Sequence, residues 1–153
     1  MTDKHRRFLG PVVEMRKLHD SAEQRIVHSA EMLDRKSLAS VGDTTGERLT
    51  ALLTETKAHT PEELAANVAS IGELLGRFAL YVPARFTDDP AEQAKYWAVR
   101  SGIFPAVGGS RPAGTTCLSE DVAFHIEDLP RATAELQALI ARHGYDACIS
   151  GHS

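Results

Sequence analysis

A glycine-rich stretch that carries an arginine contains residue types suited to binding an anion. Residues 101–114 hold four of the eleven glycines and two of the seven prolines, and this composition predicts a loop. Such a loop offers backbone N–H groups and the guanidinium of Arg111 to a carboxylate or a phosphate. The alternative is a surface turn in which Arg111 only precedes Pro112.

Residues 115–126, which follow this stretch, alternate as a β-strand does. Their apolar side chains share one parity, interrupted by Glu120, and the polar side chains, among them Asp121, share the other. A strand with one polar face beside the loop of Arg111 would form the wall of an anion site. A half-solvated edge strand is the alternative.

Other arrangements that carry chemistry are absent from the sequence. It contains no Ser/His/Asp or Cys/His arrangement, no P-loop and no G-x-G-x-x-G turn. Cys117 and Cys148 are too few and too scattered for a zinc site or a disulfide framework, and packing is the role expected of both. The net charge of −4, with no basic cluster beyond His5-Arg6-Arg7, argues against a nucleic-acid partner.

The composition is that of one soluble globular domain. Of the 153 residues, 42% are apolar and 25% are charged, which is ordinary for such a domain. No apolar run approaches the length of a membrane span, and the charged start MTDKHRRFLG is not followed by the apolar core of a secretory signal. These features predict a cytoplasmic location.

The clearest local signals mark helices. Three segments begin with a capping residue followed by proline: Thr60 before Pro61, Asp89 before Pro90, and Asp128 or Leu129 before Pro130. The predicted helices run over residues 61–76, 90–100 and 130–143. Residues 1–24 are predicted to form a separate N-terminal helical segment.

The remaining apolar runs predict strands over residues 49–57, 78–83, 115–126 and 145–150. The order strand, helix, strand therefore occurs twice. Two such units can share one antiparallel sheet with both helices on one face, which predicts an α+β, ferredoxin-like fold of the split β-α-β type. The other face of the sheet is then free to cover something else.

One stretch resembles a known family. WAVRSGIFPAVGGSRPAGTTCLSEDVAF is similar to the C-terminal cap domain of FAD-linked 2-hydroxy-acid dehydrogenases. This group includes D-lactate dehydrogenase, glycolate oxidase and D-2-hydroxyglutarate dehydrogenase among the vanillyl-alcohol-oxidase-type flavoproteins. The W-x-x-R-x-G-x-F-P run, the R-P-x-G-T-T turn and the E-D-V-A-F strand most resemble the subgroup fused to iron–sulfur modules.

The resemblance extends to both sides of this stretch. The tail HGYDACISGH is similar to the family strand that leads into a G-H-x-x-x-G-N-x-H motif. The similarity is weaker over residues 30–87, where it favours a strand that ends near Leu33 and a short helix over residues 35–41. Asp34 is then a plausible cap for this helix.

The resemblance also implies roles for single residues. Arg100 occupies the place of the arginine that binds the substrate carboxylate in the family; a solvated helix-end arginine is the alternative. Arg111 is the second candidate for that carboxylate. Asp121 is expected to orient a neighbour or to pair with an arginine.

His152 occupies the place of the first histidine of the G-H-x-x-x-G-N-x-H motif. In relatives this residue is catalytic, because it joins a second histidine and a glutamate at a divalent metal such as zinc, which polarises the substrate hydroxyl. A catalytic metal needs about three protein ligands. A metal at His152 is therefore expected only together with ligands beyond this chain, and none is expected in the isolated chain.

The function that the resemblance implies is oxidation of a small 2-hydroxy acid by hydride transfer to flavin. Residues 25–153 would be the cap, or substrate-binding, domain, cut within the G-H-x-x-x-G-N-x-H motif. FAD would be held mainly by a separate FAD-binding domain of the same protein, which makes the isolated chain inactive. The full-length enzyme would be cytoplasmic or peripheral to the inner membrane. The alternative is a stand-alone ferredoxin-like binding module that forms a homodimer through its open sheet face.

Overall fold

The computed structural model describes residues 26–42, 50–118 and 121–152. The elements in these ranges are β1 (Ser29–Leu33), α1 (Arg35–Ser40), β2 (Ala51–Glu55), α2 (Pro61–Leu75), α3 (Pro90–Ser110), α4 (Leu129–Arg142) and β3 (Ser150–His152). The predicted helical segment of residues 1–24 lies outside the described ranges. None of these four helices is both long enough and apolar enough to cross a bilayer.

The three strands form one antiparallel sheet with β1 in the centre, in the order β2-β1-β3. β2 pairs with the whole of β1, from Ser29 opposite Glu55 to Leu33 opposite Ala51. β3 pairs with the second half of β1 and places His152 opposite Glu31. The predicted α+β fold, with a ferredoxin-like antiparallel sheet, is therefore confirmed.

One face of the sheet is covered by the two predicted helices α2 and α4. Ala30 packs in a buried cluster with Ile71 and Leu74 of α2. Met32 has the same parity along β1, and Leu129 of α4 packs against it. Because one strand presents alternate residues to the same side, α2 and α4 must share that side of the sheet, as predicted.

The opposite face carries α1 and α3. Leu33, of the other parity, is buried with Leu38 of α1 and Ile103 of α3, and Val107 packs against the same cluster. The sequence analysis left this face open to cover another molecule. In the structure, α3 lies over part of it.

The local signals for helix ends are confirmed. At the start of α2, the Thr60 hydroxyl accepts a hydrogen bond from the backbone N–H of Glu63 at 3.2 Å, and the Glu63 carboxylate accepts one from the backbone N–H of His59 at 3.1 Å. The helix ends at Gly76. Pro130 lies in the first turn of α4, and Gly144 follows its last residues with φ of +72°.

The predicted loop over residues 101–114 is wrong for most of its length, because α3 continues through Pro105 to Ser110. Proline inside a helix removes one backbone hydrogen bond. Ile103 and Val107, on either side of Pro105, pack against the core. Burial of these side chains supports helix in a stretch whose composition indicated a loop, and the loop is confined to residues 111–114.

Two predicted strands are not formed. Residues 78–83 are irregular, and Tyr81 and Val82 are largely exposed. Residues 115–118 and 121–125 are irregular and exposed, so the alternation there does not indicate a strand, and Cys117 is exposed rather than packed. A strand needs a neighbour for its backbone N–H and C=O groups, and in the described ranges neither segment has one. The predicted strand over 145–150 begins only at Ser150.

Asp34 joins the end of β1 to the chain that enters β3. Its Oδ1 accepts a hydrogen bond from the backbone N–H of Ser37 at 2.8 Å and caps α1, as predicted. Its Oδ2 accepts one from the backbone N–H of Ile149 at 2.8 Å, and its own N–H donates to the Ile149 carbonyl at 3.2 Å. A single carboxylate therefore fixes both a helix start and the approach of a strand.

Replacing Asp34 by Asn should separate these two roles. The amide oxygen can still cap α1, but the amide NH2 would face the N–H of Ile149, and two donors cannot bond. We expect a loss of about 1–3 kcal/mol, which lowers Tm by roughly 3–8 °C in a chain of this size. Asp89→Asn is the matched control, because Asp89 caps α3 through one bond to Ala91 and Asn caps equally well. Equal Tm shifts in calorimetry would contradict the assignment.

Cys148 lies in the same approach to β3 and is half-buried. Burial raises the pKa of its thiol, and the negative charge of Asp34 raises it further. The thiolate is the reactive form, so Cys148 should react with iodoacetamide more slowly than an exposed thiol near pH 8. Because the fold favours the neutral thiol, its contribution to stability is present below the pKa of the unfolded thiol. This contribution is lost as pH rises through the higher folded value.

The measurement is the rate of alkylation of each cysteine against pH, followed by mass spectrometry, with Cys117→Ser to isolate Cys148. Asp34→Asn should speed the alkylation of Cys148, because it removes the nearby negative charge. If Cys148 reacts as fast as Cys117 at every pH, the pKa of its thiol is not raised.

Candidate functional site

A buried carboxylate in the central strand forms the base of a polar cluster. The Glu31 residue is only 5% exposed, although it carries a charge. Its Oε2 lies 3.3 Å from Nε of Arg100, and its Oε1 lies 3.4 Å from Nη2 of the same guanidinium. Oε1 also lies 2.9 Å from Nδ1 of His152. We call Glu31, Arg100 and His152 the Glu31 cluster.

The sheet register and the packing of α3 assemble this cluster. Glu31 and His152 are directly opposite on antiparallel strands, so their side chains leave the same face of the sheet. α3 lies over this face, and its buried Ile103 comes one helical turn after Arg100. Packing of Ile103 therefore holds Arg100 on the side of α3 that faces the sheet.

The Glu31 cluster has a buried side and an exposed side. The side chain of Glu31 is 6% exposed, whereas those of Arg100 and His152 are 46% and 61% exposed. A buried carboxylate is unfavourable unless it is paired and hydrogen-bonded. The guanidinium supplies the opposite charge, so Glu31 binds the inner edges of two side chains whose outer edges contact solvent.

The outer edges contain the atoms that could act on a ligand. Arg100 directs Nε and one Nη2 hydrogen to Glu31, which leaves the fork between Nη1 and Nη2 for a second carboxylate. His152 directs Nδ1 to Glu31 and leaves Nε2 as its outward nitrogen. A guanidinium fork and an imidazole nitrogen that share one carboxylate can bind an anionic group and a neighbouring hydroxyl.

Two of the residues predicted from the sequence, Arg100 and His152, thus come together in space, but Arg111 does not join them. Arg111 lies 11 residues after Arg100, roughly 16 Å along a helix axis. Its Nε donates to the Thr115 carbonyl at 2.9 Å, and its Nη1 donates to the carbonyl of Gly108. These contacts bind the last turn of α3 to the turn that follows, and a substrate role for Arg111 stays a prediction.

Asp121 lies exposed in irregular chain and makes no contact with the Glu31 cluster. Its role also stays a prediction. The sequence analysis missed Glu31. A signal was present, because Glu31 stands in the apolar run Ala30 to Leu33, where a charged residue in a buried strand indicates a paired, functional or strained position.

The described residues do not fit a divalent metal. No group of three or more His, Cys, Asp or Glu side chains in these parts of the chain is arranged to hold one. His152 supplies a single outward nitrogen, and a catalytic metal needs about three protein ligands. A role for zinc is therefore not supported, and the chemistry of the cluster is derived without it.

A pocket beside α4 is small. A shallow pocket of about 180 Å3 is lined by Asp34, Lys36, Gln137, Ile140, Ala141, Tyr145, Ala147 and Ile149. Ligand sites for small molecules are usually about 300–1,000 Å3. This pocket is too small for FAD, and none of its lining residues belongs to the Glu31 cluster.

Comparison with known families gives one match. A family model described as FAD linked oxidases, C-terminal domain, matches residues 15–153, which include every described element and the whole Glu31 cluster. No match was found among curated proteins. None was found among solved structures.

Proposed function

Since the chain belongs to the family of the C-terminal domains of FAD-linked oxidases, we propose that it binds the substrate of an enzyme that oxidises a small 2-hydroxy acid. The family implies FAD in the full-length protein and a partnership with an FAD-binding domain. The observation that carries the proposal is the Glu31 cluster, in which Arg100 and His152 share one buried carboxylate.

Arg100 would bind the substrate carboxylate. The fork between its Nη1 and Nη2 matches the two oxygens of a carboxylate, and charge-assisted pairs of this kind are among the strong hydrogen bonds of proteins. The bond from its Nε edge to Glu31 limits rotation of the guanidinium. The pair with Glu31 neutralises one buried charge, and the exposed edge keeps its donors for a ligand.

His152 would act on the substrate hydroxyl. A 2-hydroxy acid carries its hydroxyl on the carbon next to the carboxylate, so a group that binds the hydroxyl must lie beside the carboxylate clamp. Oxidation to the 2-oxo acid removes a proton from the oxygen and a hydride from C2. Nε2 of His152, the ring nitrogen that does not face Glu31, would take that proton. FAD is the hydride acceptor that the family implies for the full-length protein.

Exposed apolar side chains support contact with another domain. Large apolar residues of segments 80–86 and 118–124 are at least two-fifths exposed, and Leu118 reaches 83%. Extended exposed apolar surface is typical of sites where a partner binds. We propose the FAD-binding domain as that partner. The alternative is a stand-alone module that forms a homodimer through the sheet face opposite α2 and α4.

Substitutions of Arg100 test the proposed carboxylate clamp. In the protein assembled with its FAD-binding domain, Arg100→Ala removes two charge-assisted bonds of roughly 1.5–3 kcal/mol each, so kcat/KM for a 2-hydroxy acid should fall on the order of a hundredfold or more. Arg100→Lys keeps the charge but loses the fork. Its kcat/KM should therefore lie between the values for Arg100→Ala and for the wild type. Arg77→Ala is the matched control, because Arg77 is an exposed helical arginine paired with Glu73.

Arg100→Ala also leaves the carboxylate of Glu31 buried without its cation, so stability should fall as well. The double variant Glu31→Gln/Arg100→Ala removes that unpaired charge. It should recover most of the melting temperature without recovering kcat/KM. Recovery of both, or near-normal kcat/KM in Arg100→Ala, would show that Arg100 only neutralises Glu31.

The isolated chain should bind FAD only weakly, because the family implies that a separate FAD-binding domain holds the dinucleotide. The fluorescence of FAD should show no saturable change when the chain is added at micromolar concentrations. When the FAD-binding domain is added to the chain, light scattering should show a one-to-one complex. Hydrogen exchange should slow in segment 80–86 on complex formation. Stoichiometric FAD binding by the chain alone would contradict the proposal, and a stable dimer of the chain alone would favour the alternative module.

A further inference from the structure

Glu31 contacts both groups of the proposed site, Arg100 and His152. Its Oε1 faces Nη2 of Arg100 and Nδ1 of His152, and its Oε2 faces Nε of Arg100. We propose that Glu31 is the positioning residue of this site. It holds the proton of His152 on Nδ1, so that the Nε2 lone pair points outward, and it fixes the outer fork of Arg100. This inference rests on the proposed function only for the identity of the ligand.

The tautomer of His152 follows from the donors and acceptors that meet at Glu31. An ionised carboxylate has no hydrogen to donate, so a ring nitrogen 2.9 Å from Oε1 must carry the hydrogen. In a neutral imidazole only one nitrogen carries a hydrogen, and Nε2 is then an acceptor. Glu31 thus makes the outward nitrogen of His152 able to accept the proton of a hydroxyl.

His28 provides the opposite case within the same chain. Its Nδ1 accepts a hydrogen bond from the backbone N–H of Lys57 at 3.2 Å. The neutral ring of His28 must therefore carry its hydrogen on Nε2. His28, just before β1, and His152, in β3, thus have opposite tautomers for an identifiable reason, and His28 is an internal reference for measurements on His152.

Rigid support by Glu31 gives the site a way to distinguish ligands. A 2-hydroxy acid carries a carboxylate and a hydroxyl at a fixed separation, whereas a simple carboxylic acid carries only the first. Arg100 and His152 can select the former only if their outward atoms keep a fixed spacing. Because the Glu31 side chain is buried in the central strand, it has little freedom and transmits that rigidity to both partners. Glu31 is therefore a determinant of specificity that does not touch the ligand.

The first test measures the tautomers in the whole chain. Long-range 1H–15N spectra of chain labelled with 15N-histidine, at pH about 9 where an ordinary imidazole is neutral, should show His152 with its hydrogen on Nδ1 and His28 with its hydrogen on Nε2. In Glu31→Gln the amide can accept from Nδ1 or donate to it, so His152 should shift to a mixture of tautomers. His28 should not change.

The matched control is Glu55→Gln. Glu55 lies on the neighbouring strand with the parity of the residue opposite Glu31, and its carboxylate pairs with Lys57 rather than with the cluster. The Glu55→Gln substitution should leave the tautomer of His152 unchanged. If Glu31→Gln does not fold, Glu31→Asp serves instead, because it keeps the charge and withdraws the carboxylate by roughly 1.5 Å, one C–C bond.

The second test compares the affinities of the chain for glycolate and for acetate. Binding of each probe is measured from the change in the NMR signal of the Arg100 Nε–H. Wild-type chain should bind glycolate about tenfold more tightly than acetate, the worth of one added hydrogen bond, and Glu31→Gln should lose that preference. His152 with its hydrogen on Nε2 in the wild type, or an unchanged tautomer in Glu31→Gln, would overturn the positioning role. Expected tautomers without any preference for glycolate would overturn the proposed 2-hydroxy-acid function and leave the positioning role standing.

Discussion

The need to pair a carboxylate buried in the central strand determines how this domain is arranged around its candidate site. Glu31 is surrounded by strands on both sides and by α3 above, so water cannot satisfy it fully. Arg100 and His152 supply the missing hydrogen bonds from two different elements. The same contacts hold α3 and β3 against β1. The charge of Glu31 would destabilise an apolar sheet if it were unpaired. Its need for partners therefore specifies that α3 and β3 meet at β1.

Asp34 acts in a similar way three residues further along the chain. It bonds the start of α1 and the backbone of Ile149, so the end of β1 is connected to the segment that leads into β3. Glu31 pairs with His152 of β3, and Asp34 pairs with the backbone of Ile149 in the segment that leads into β3. Two carboxylates, rather than apolar packing alone, therefore set the register that brings His152 opposite Glu31.

The sequence was sufficient for features whose cause is local. The capping residues Thr60 and Asp89 identified helix starts because the hydrogen bonds involved span a few residues. It was insufficient where the cause is distant. The path of α3 through Pro105 depends on core contacts that neighbouring residues do not reveal, and segment 78–83 has strand-like composition without a described strand to pair with.

The same distinction applies to the candidate site. Arg100 and His152 were predicted from motif resemblance, which carries information about chemistry that composition lacks. Their meeting at Glu31 depends on strand register and on the approach of α3, which a single sequence does not specify. Arg111 was a plausible anion ligand because its neighbours include glycine and proline. In the structure that arginine bonds to backbone carbonyls at the end of α3, and its role as an anion ligand stays a prediction.

Residues 150–152 of β3 are exposed, and in the described part of the chain β3 is an edge strand that pairs with β1 alone. Exposed edge strands open locally at a lower free energy than the core. His152 therefore belongs to an element that can detach while the rest of the sheet persists. A ligand that needs His152 binds only the attached form, so its apparent affinity is reduced by the detached fraction, and binding in turn closes the strand. The attached and detached forms of β3 would thus be in equilibrium, and ligand binding would shift that equilibrium to the attached form.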